Sequence, residues 1–312
     1  MKEKVLLDCD PGHDDAFAIV LAAGSPAIDL LAITTVAGNQ TLDKVTRNAL
    51  AVCEIAGIRD VPIAAGAPQP LVRAQRTAPE IHGDSGLDGP PMPDTTLTTD
   101  PRHAVELIID TLMSEPSGTV NLVATGPLTN LALAMRLQPA IVERVKQVIV
   151  MGGSWTRGNV TPAAEFNIVT DPEAASAVFS GGWPVTMVGL DVTHKALAVE
   201  DVQARLRSVD SRLSAFLGDL LAFFGSAYRE AQGFEWPPVH DPVCIARLID
   251  PELVTTRNAH VAIETAGQWT YGMTVVDFDG SPDNPLDTKV ATDLDAAGFW
   301  DHVLAATRAL SV

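Results

Sequence analysis

Cysteine is scarce in this sequence, which limits what can hold the chain together. Among 312 residues there are three cysteines, Cys9, Cys53 and Cys244. An odd number at such wide spacing fits neither a disulfide framework nor a cysteine-based zinc site. We therefore expect reduced cysteines in the core.

Basic residues are also few, and this excludes one class of partner. Lys and Arg number 21 against 39 Asp and Glu, which gives a formal net charge of −18. The average field of such a molecule repels polyanions, so binding to nucleic acid is not expected. Solubility explains most of the excess acid. Only carboxylates that crowd together at one place need a chemical explanation.

Long apolar runs are absent as well. No stretch stays apolar over the length needed to cross a bilayer, and the apolar run at the amino terminus is too short for a signal peptide. These absences predict a cytoplasmic protein that does not bind membranes. The apolar stretches that do occur have the length of buried strands or helices.

Strand and helix patterns alternate along the chain, and hydrophobic residues make up 46% of it, enough for a large core. The alternation predicts an α/β fold with a mostly parallel central sheet and helices on both faces. The predicted strands cover residues 5–7, 30–36, 61–64, 120–124, 147–151, 185–188, 254–263 and 271–276. The predicted helices cover residues 14–23, 43–56, 103–113, 128–136, 199–231 with an interruption near 208–211, and 296–310.

Two segments stand apart from this alternation. Residues 66–100 are rich in Pro and Gly, and we interpret them as a loop insertion because the pattern resumes after them. Residues 199–231 are mainly helical. With no repeat and no credible linker, the sequence predicts a single domain over residues 1–312. Its ligands should bind at the carboxyl ends of the strands, as they do in open α/β sheets.

Four carboxylates fall within eight residues after the first strand, in the segment Asp8-Cys9-Asp10-Pro11-Gly12-His13-Asp14-Asp15. Asp14 or Asp15 alone would be explained by capping of the following helix. Asp10 is harder to explain, because ionised carboxylates at the end of a buried strand repel one another unless they are protonated or share a cation. Oxygen ligands indicate a hard cation, Ca²⁺ or Mg²⁺, and carboxylates at different depths favour the roomier shell of Ca²⁺.

Such a cluster is only moderately specific. Phosphatases of the haloacid dehalogenase type also begin with Asp-x-Asp after a first strand, and they would place Mg²⁺ and a phosphoryl acceptor at Asp10. Their pattern continues with Thr or Val after the second Asp, whereas Pro11 follows here. This departure counts against the phosphatase alternative.

Read on through Ala16, the acidic segment resembles the signature of the inosine-uridine preferring nucleoside hydrolase family. The resemblance continues through nearly the whole chain in the family's order. It is carried by Val36-Ala37-Gly38-Asn39, His82-Gly83-Asp84-Ser85-Gly86-Leu87, Ala124-Thr125-Gly126-Pro127-Leu128-Thr129-Asn130, Val150-Met151-Gly152-Gly153, Glu165-Phe166-Asn167 and His240-Asp241-Pro242. Agreement at so many separated places is not expected by chance.

The resemblance implies a Rossmann-like nucleoside hydrolase fold and calcium-dependent hydrolysis of the N-glycosidic bond of ribonucleosides to ribose and free base. Asp10, Asp15, Asp241 and the backbone carbonyl of Thr125 match the family's Ca²⁺ ligands. Because water near so large a cation stays weakly acidic, a carboxylate must act as general base, and Asp10 is our choice. The resemblance also implies a role in nucleoside catabolism and salvage, and a homodimer or homotetramer.

Other matching positions imply contacts with the substrate. Asp14 would accept a hydrogen bond from a ribose hydroxyl, with Asn39 supporting the same side, although an Asn after a Gly is also typical of a plain turn. Further ribose contacts would come from Met151, Asn159, Glu165 and Asn167. Loop polarity would explain the three polar residues and core packing would explain Met151, if each stood alone.

The sequence determines less about the residues that contact the base. The resemblance makes His240 a candidate acid for the departing base, while a His beside a metal ligand is more often a supporting or packing residue. Aromatic rings near a helix are also more often core. The residues that would cover the base are His82, Tyr228, Phe224 and Trp236.

Two further alternatives stay open at this point. An enzyme for a modified or larger ribosyl substrate would keep every calcium and ribose contact and change only the base pocket. A calcium-dependent nucleoside sensor would bind without turnover, but binding alone does not need a general base such as Asp10.

Overall fold

The computed structural model describes residues 2–311. Its centre is a nine-stranded sheet. The strands are β1 (Glu3–Cys9), β2 (Ile28–Thr35), β3 (Ile63–Ala65), β4 (Val120–Ala124), β5 (Val145–Met151), β6 (Val185–Val188), β7 (Val254–Ile263), β8 (Thr274–Asp277) and β9 (Thr288–Leu294).

The strand order across the sheet is β3-β2-β1-β4-β5-β6-β9-β7-β8. Every pair from β3 to β9 is parallel, and the last two pairs, β9 with β7 and β7 with β8, are antiparallel. This confirms the predicted mostly parallel α/β fold. Because β1 and β4 are neighbours in the centre, the loops that follow them open at the same edge of the sheet.

Helices cover both faces of the sheet, as predicted. Along β1 the buried side chains alternate, with Val5, Leu7 and Cys9 in one apolar cluster and Leu6 in the other. A strand apolar on both faces is typical of a parallel sheet between two helical layers. The helices are α1 (His13–Gly24), α2 (Leu42–Ile55), α3 (Pro79–His82), α4 (Ala104–Ser114), α5 (Thr129–Leu137), α6 (Phe166–Thr170), α7 (Pro172–Phe179), α8 (Leu190–Thr193), α9 (Glu200–Arg207), α10 (Arg212–Gln232), α11 (Pro242–Ile249) and α12 (Ala296–Ala309).

Some elements differ from the prediction. The strand β9 was not predicted, because its sequence Thr-Lys-Val-Ala-Thr-Asp-Leu is too polar to indicate a strand without its neighbours β6 and β7. The predicted strand at 271–276 begins only at Thr274. Before it, Gly272 has a φ of 79° and its N–H bonds to the carbonyl of Glu264, which makes a turn. Five helices were also not predicted, namely α3, α6, α7, α8 and α11.

The insertion at 66–100 is irregular apart from α3, and it is fixed near both ends. The backbone N–H of Leu71 donates to Asp171 Oδ2 at 2.9 Å, and that of Asp100 donates to the carbonyl of Ile63 at 2.7 Å. Between these points α3 packs on α10 through Ala78 and Ile81. The insertion therefore lies over the carboxyl edge of the sheet.

In the segment 199–231 the structure has two helices, α9 and α10. The break at 208–211 contains Asp210, with a φ of 53°, and the hydroxyl of Ser211 caps α10 by accepting from the N–H of Ser214. The three cysteines are buried and unpaired. No helix within residues 2–311 is long and apolar enough to span a bilayer. The single-domain organisation and the cytoplasmic location stay predictions.

Candidate active site

A cavity of about 310 Å³ opens at the carboxyl edge of the sheet, between the insertion, α6 and α10. Asp10 and Asp15 are fully buried and belong to the same edge, but they do not line it. Two of the residues predicted to cover the base, Phe224 and Trp236, do not line it either. The other predicted site residues do line it: Asp14, Asn39, His82, Thr125, Met151, Asn159, Glu165, Asn167, Tyr228, His240 and Asp241.

Asp10 comes directly after β1, and only one of its two carboxylate oxygens is hydrogen-bonded. Its Oδ2 accepts a hydrogen bond from the backbone N–H of Asn39 at 2.7 Å, whereas its Oδ1 is enclosed and has no hydrogen-bond partner among residues 2–311. A Cβ at Gly126 would lie 2.8 Å from that Oδ1, and a Cβ at Gly38 would collide with Oδ2. The glycines of the two neighbouring loops thus leave room for this carboxylate.

Asp15 joins three of the loops at the sheet edge. Its Oδ2 accepts from the N–H of Gly12 at 2.9 Å and from Asn39 Nδ2 at 3.3 Å, and its Oδ1 accepts from the hydroxyl of Thr125 at 2.9 Å. Asp15 therefore does cap the start of α1, as the capping alternative requires. Capping uses only part of its hydrogen-bonding capacity, so it does not explain the whole acidic segment.

Three buried carboxylates from distant parts of the sequence form one group. Oxygens of Asp14, Asp15 and Asp241 lie within 4.8 Å of one another. The sequence predicted Asp10 in this place and gave Asp14 to the ribose, so the group includes an acid not expected there. The carbonyl of Thr125 accepts from Asn167 Nδ2 at 2.7 Å, which orients this oxygen and leaves it a second lone pair.

These acids have strongly displaced proton affinities. Burial, followed by the charge of Asp15, raises the pKa of Asp10 well above its usual range and that of Asp14 to about 8. Burial and the charges of Asp14 and Asp15 likewise raise the pKa of Asp241. So many buried negative charges are stable only when they are protonated or share a cation.

The donor set fits a hard cation. All three side chains of the cluster offer oxygen, and the enclosed Asp10 Oδ1 has a free acceptor position. Cysteine and histidine do not belong to the group of three. Oxygen ligands from side chains and backbone suit hard cations such as Ca²⁺ and Mg²⁺ better than the softer transition metals.

Polar side chains from the loop after β5 and from α6 form one wall of the cavity. Glu165 caps α6, accepting from the N–H groups of Asn167, Ile168 and Gly153 at 2.9 to 3.1 Å, and burial raises its pKa to about 7. Asn159 Oδ1 accepts from the N–H of Phe166 at 3.0 Å. Fixed amides and a carboxylate of this kind suit a polyol such as ribose.

Met151 lies beside this wall at the end of β5. Its carbonyl accepts from Asn167 Nδ2 at 3.1 Å, and Met151 itself is 3% exposed and lines the cavity. It belongs at the same time to an apolar cluster of the core. Both the packing and the substrate-contact interpretations of Met151 therefore remain compatible with its position.

The opposite wall is aromatic. His240 is held through both ring nitrogens, with Nδ1 at 2.7 Å from the hydroxyl of Thr193 and Nε2 at 2.7 Å from that of Tyr228. Burial, with a smaller effect of His194, lowers the pKa of His240 well below its usual range. Phe224 packs edge-on against Tyr228 at 4.8 Å between ring centroids and does not line the cavity.

His82 belongs to the same aromatic wall. Its ring centroid lies 5.4 Å from that of Phe224 and 5.3 Å from that of His13. Burial, followed by the charge of His13, lowers the pKa of His82 well below its usual range. Burial also lowers the pKa of His13 to about 4. Both imidazoles are therefore neutral at pH 7.

Asp8 lies beneath the site and was not among the predicted site residues. Its Oδ1 accepts from the hydroxyl of Thr34 at 2.6 Å and from Asn130 Nδ2 at 2.8 Å, and burial raises its pKa to about 7. An acid inside an otherwise apolar strand was the signal for it. No comparable signal existed for Arg76, Glu80 and Gln232, polar residues that also line the cavity.

Comparisons with known proteins agree with this geometry. Residues 5–301 match the family model described as inosine-uridine preferring nucleoside hydrolase. An inosine-uridine preferring nucleoside hydrolase of Crithidia fasciculata is 51% identical over 307 residues, 98% of each chain. The pyrimidine-specific ribonucleoside hydrolase RihB of Escherichia coli O157:H7 is 47% identical over 302 residues, 97% of this chain and 96% of that protein.

A solved structure gives the same result. The purine-preferring ribonucleoside hydrolase from Gardnerella vaginalis superposes with a TM-score of 0.93 at 32% identity, covering 99% of both chains. The names of these relatives give three different base preferences. They agree on the bond that is cleaved and leave the base of the substrate open.

Proposed function

The chain belongs to the inosine-uridine preferring nucleoside hydrolase family, and from this premise we propose that it hydrolyses ribonucleosides with the help of a bound Ca²⁺. The reaction class follows from the family: water replaces the nucleobase at C1′ of the ribose. The phosphatase alternative for Asp10 is thereby removed. The cation, the roles of single residues and the base preference are the proposed part.

The observation that carries the proposal is the enclosed, unpartnered Oδ1 of Asp10 beside a cluster of buried acids. Asp10, Asp15, Asp241 and the carbonyl of Thr125 would hold the ion. When bound, Ca²⁺ supplies the positive charge that keeps these carboxylates ionised and a centre on which water and the ribose hydroxyls converge. Because crowded carboxylates repel one another, a divalent cation that binds between them stabilises their ionised forms.

Asp10 is the proposed general base. Its Oδ2 accepts only the N–H of Asn39 and its Oδ1 has no partner, so the carboxylate keeps acceptor positions for both the ion and the proton of the attacking water. Because the backbone hydrogen bond fixes the carboxylate, its orientation is set before the substrate binds. Asp14 accepts a hydrogen bond from a ribose hydroxyl, and Asn39 supports it from the same side.

The wall with Asn159, Glu165 and Asn167 binds the sugar. Glu165 and Asn159 already hold backbone N–H groups of α6, and their remaining capacity faces the cavity they line. Cleavage passes through a ring with positive charge, which the carboxylates at the cavity floor stabilise. This wall therefore holds the ribose while charge develops next to the acids.

Departure of the base requires a proton. His240 Nε2 contacts the hydroxyl of Tyr228, so the two side chains form one hydrogen-bonded unit, and both line the cavity. To replace the proton that the hydroxyl gives to the base, His240 must first take up a proton from water. The imidazolium then passes its Nε2 proton to the Tyr228 oxygen as the hydroxyl proton passes to the base, which leaves both side chains neutral. His240 thus acts on the leaving base through Tyr228.

The test is ribose release by the purified protein from inosine, adenosine, guanosine, uridine and cytidine, with and without a calcium chelator. We expect release from at least one nucleoside, its loss with chelator, and its return on adding Ca²⁺ but not equimolar Mg²⁺. Equal recovery with Mg²⁺ would overturn the choice of cation. No release from all five by protein shown to bind Ca²⁺ would favour a modified or larger ribosyl substrate, or a sensor.

A further inference from the structure

Two histidine rings meet at the aromatic wall, and only one of them lines the cavity. His13 Nδ1 lies 3.1 Å from His82 Nδ1. His13 is enclosed between Phe223 and Phe224, whose rings stack on it at centroid distances of 5.3 and 5.0 Å. The nucleoside hydrolysis derived above does not use His13.

The contact of Nε2 determines which ring nitrogen of His13 carries the hydrogen. Nε2 lies 2.9 Å from the carbonyl oxygen of Asp88, which can only accept, so Nε2 carries the hydrogen. In a neutral imidazole the remaining nitrogen is then an acceptor. The lone pair of His13 Nδ1 therefore points at His82.

The contact between the two rings determines which nitrogen of His82 carries the proton. Two lone pairs 3.1 Å apart would repel, so the pair forms a hydrogen bond only when His82 carries its proton on Nδ1. The backbone N–H of His13 competes for the same nitrogen by donating to His82 Nδ1, at the longer distance of 3.3 Å. That N–H belongs to the first residue of α1, where helix donors have no partner within the helix.

We propose that His13 is a positioning residue that sets the tautomer of His82. With its proton on Nδ1, His82 presents Nε2 to the cavity as an acceptor. Such an acceptor pairs with a base that offers a ring N–H, as uracil and hypoxanthine do, and opposes the ring acceptor that cytosine and adenine offer at the same place. This deepens the proposed function and rests on it in one respect, namely that the base occupies the aromatic side of the cavity.

The chain offers a matched pair of variants. His13→Phe keeps a ring between Phe223 and Phe224 and removes the acceptor, so the backbone N–H becomes the remaining partner of His82 Nδ1 and the proton moves to Nε2. His13→Asn removes the ring and keeps an acceptor at about the position of Nδ1. The measurement is the ratio of kcat/KM for uridine over cytidine, and for inosine over adenosine.

We expect both ratios to fall about tenfold in His13→Phe, the effect of one hydrogen bond, and to stay within about threefold of wild type in His13→Asn. A nitrophenyl riboside, whose leaving group offers no ring N–H, reports the hydrolytic machinery separately. If the wild-type protein did not hydrolyse the nitrophenyl riboside, this would count against the proposed function and not against the role of His13. Unchanged base ratios in His13→Phe with intact nitrophenyl riboside turnover would overturn the proposal.

A spectroscopic measurement keeps the proposal falsifiable if both variants fold poorly. Long-range ¹H–¹⁵N correlation spectra of the ¹⁵N-histidine-labelled wild type distinguish the two neutral tautomers, and a His82→Asn sample assigns the signal. We expect His82 to be protonated on Nδ1. Protonation on Nε2 in the wild type would overturn the proposal directly.

Discussion

The two ends of β1 carry acids in opposite circumstances. At the amino end, burial alone would raise the pKa of Glu3, but hydrogen bonds from Lys146 and Asn121 outweigh it, and the pKa is lowered. At the carboxyl end, Asp8 and Asp10 are fully buried and their pKa values are raised. No Lys or Arg within residues 2–311 forms an ion pair with either of these two.

The difference shows what each end of the sheet does. Ion pairs such as Lys4 with Glu115 and Lys146 with Glu3 lie partly in solvent, where they contribute little to stability and cost little. Uncompensated buried charge costs much more, and a fold that keeps it has a use for it. The amino end is an ordinary solvated surface, and the carboxyl end is where we propose that the reaction takes place.

The largest expected effect comes from exchanging one acid at each end. Asp10→Ala should lower kcat on the preferred nucleoside by about 10³-fold, because the general base is lost, while the circular dichroism spectrum stays that of wild type. Glu3→Gln is the matched control on the same strand, and its kcat should stay within about twofold of wild type because its contacts are solvent-screened. Similar rates in the two variants would remove the distinction between the two ends.

A smaller effect separates the aromatic wall from the acid cluster. His240→Ala should lower kcat/KM for inosine about 10²-fold more than that for a nitrophenyl riboside, whose leaving group needs no acid. Tyr228→Phe should show the same pattern, because the proton reaches the base through its hydroxyl. Equal losses on both substrates would exclude His240 and Tyr228 from leaving-group protonation.

The smallest effect concerns stability without the cation. Burial raises the pKa of Asp8 and of Glu165 to about 7 in the folded protein, above the values of the unfolded chain. The folded state then binds extra protons, so this stabilisation is complete below about pH 4 and is lost as the pH rises through 7.

Chelator-treated protein should therefore lose about 2 kcal/mol of unfolding free energy for each of these two groups between pH 5 and pH 8 in urea titrations. Saturating Ca²⁺ should reduce this slope, because the ion replaces protons as the neutralising charge. Chelated protein that becomes more stable over the same pH range would show that exposed pairs like that of Glu3 dominate instead.

Much of this arrangement was predictable from local pattern. Parallel strands and their helices were predicted because apolar runs of strand and helix length alternate, and the acids after β1 were recognised because like charges crowd in one short segment. The strand β9 was not predictable, since its polar sequence becomes a strand only between β6 and β7. Tertiary contacts, and not the local sequence, make this segment a strand.

The individual contacts of the site were beyond the sequence in the same way. Asp14 in the group of three acids, the hydrogen bond between His240 and Tyr228, and the meeting of His13 with His82 all depend on distances between segments far apart in the chain. Residue types indicated what chemistry was present. Only the fold determines which atoms face each other.

The fixation of the insertion by Asp171 has a consequence for how such an enzyme can change over time. Asp171 Oδ2 holds the N–H of Leu71 and the hydroxyl of Thr129, so the start of the insertion is anchored to α5 and α7. Its middle is anchored to the acid loops, because the N–H of Ala78 donates to the carbonyl of Asn39, whose own N–H holds Asp10. A change of length or sequence in the insertion therefore reaches the general base through Asn39, and we expect base selectivity and hydrolysis to evolve together.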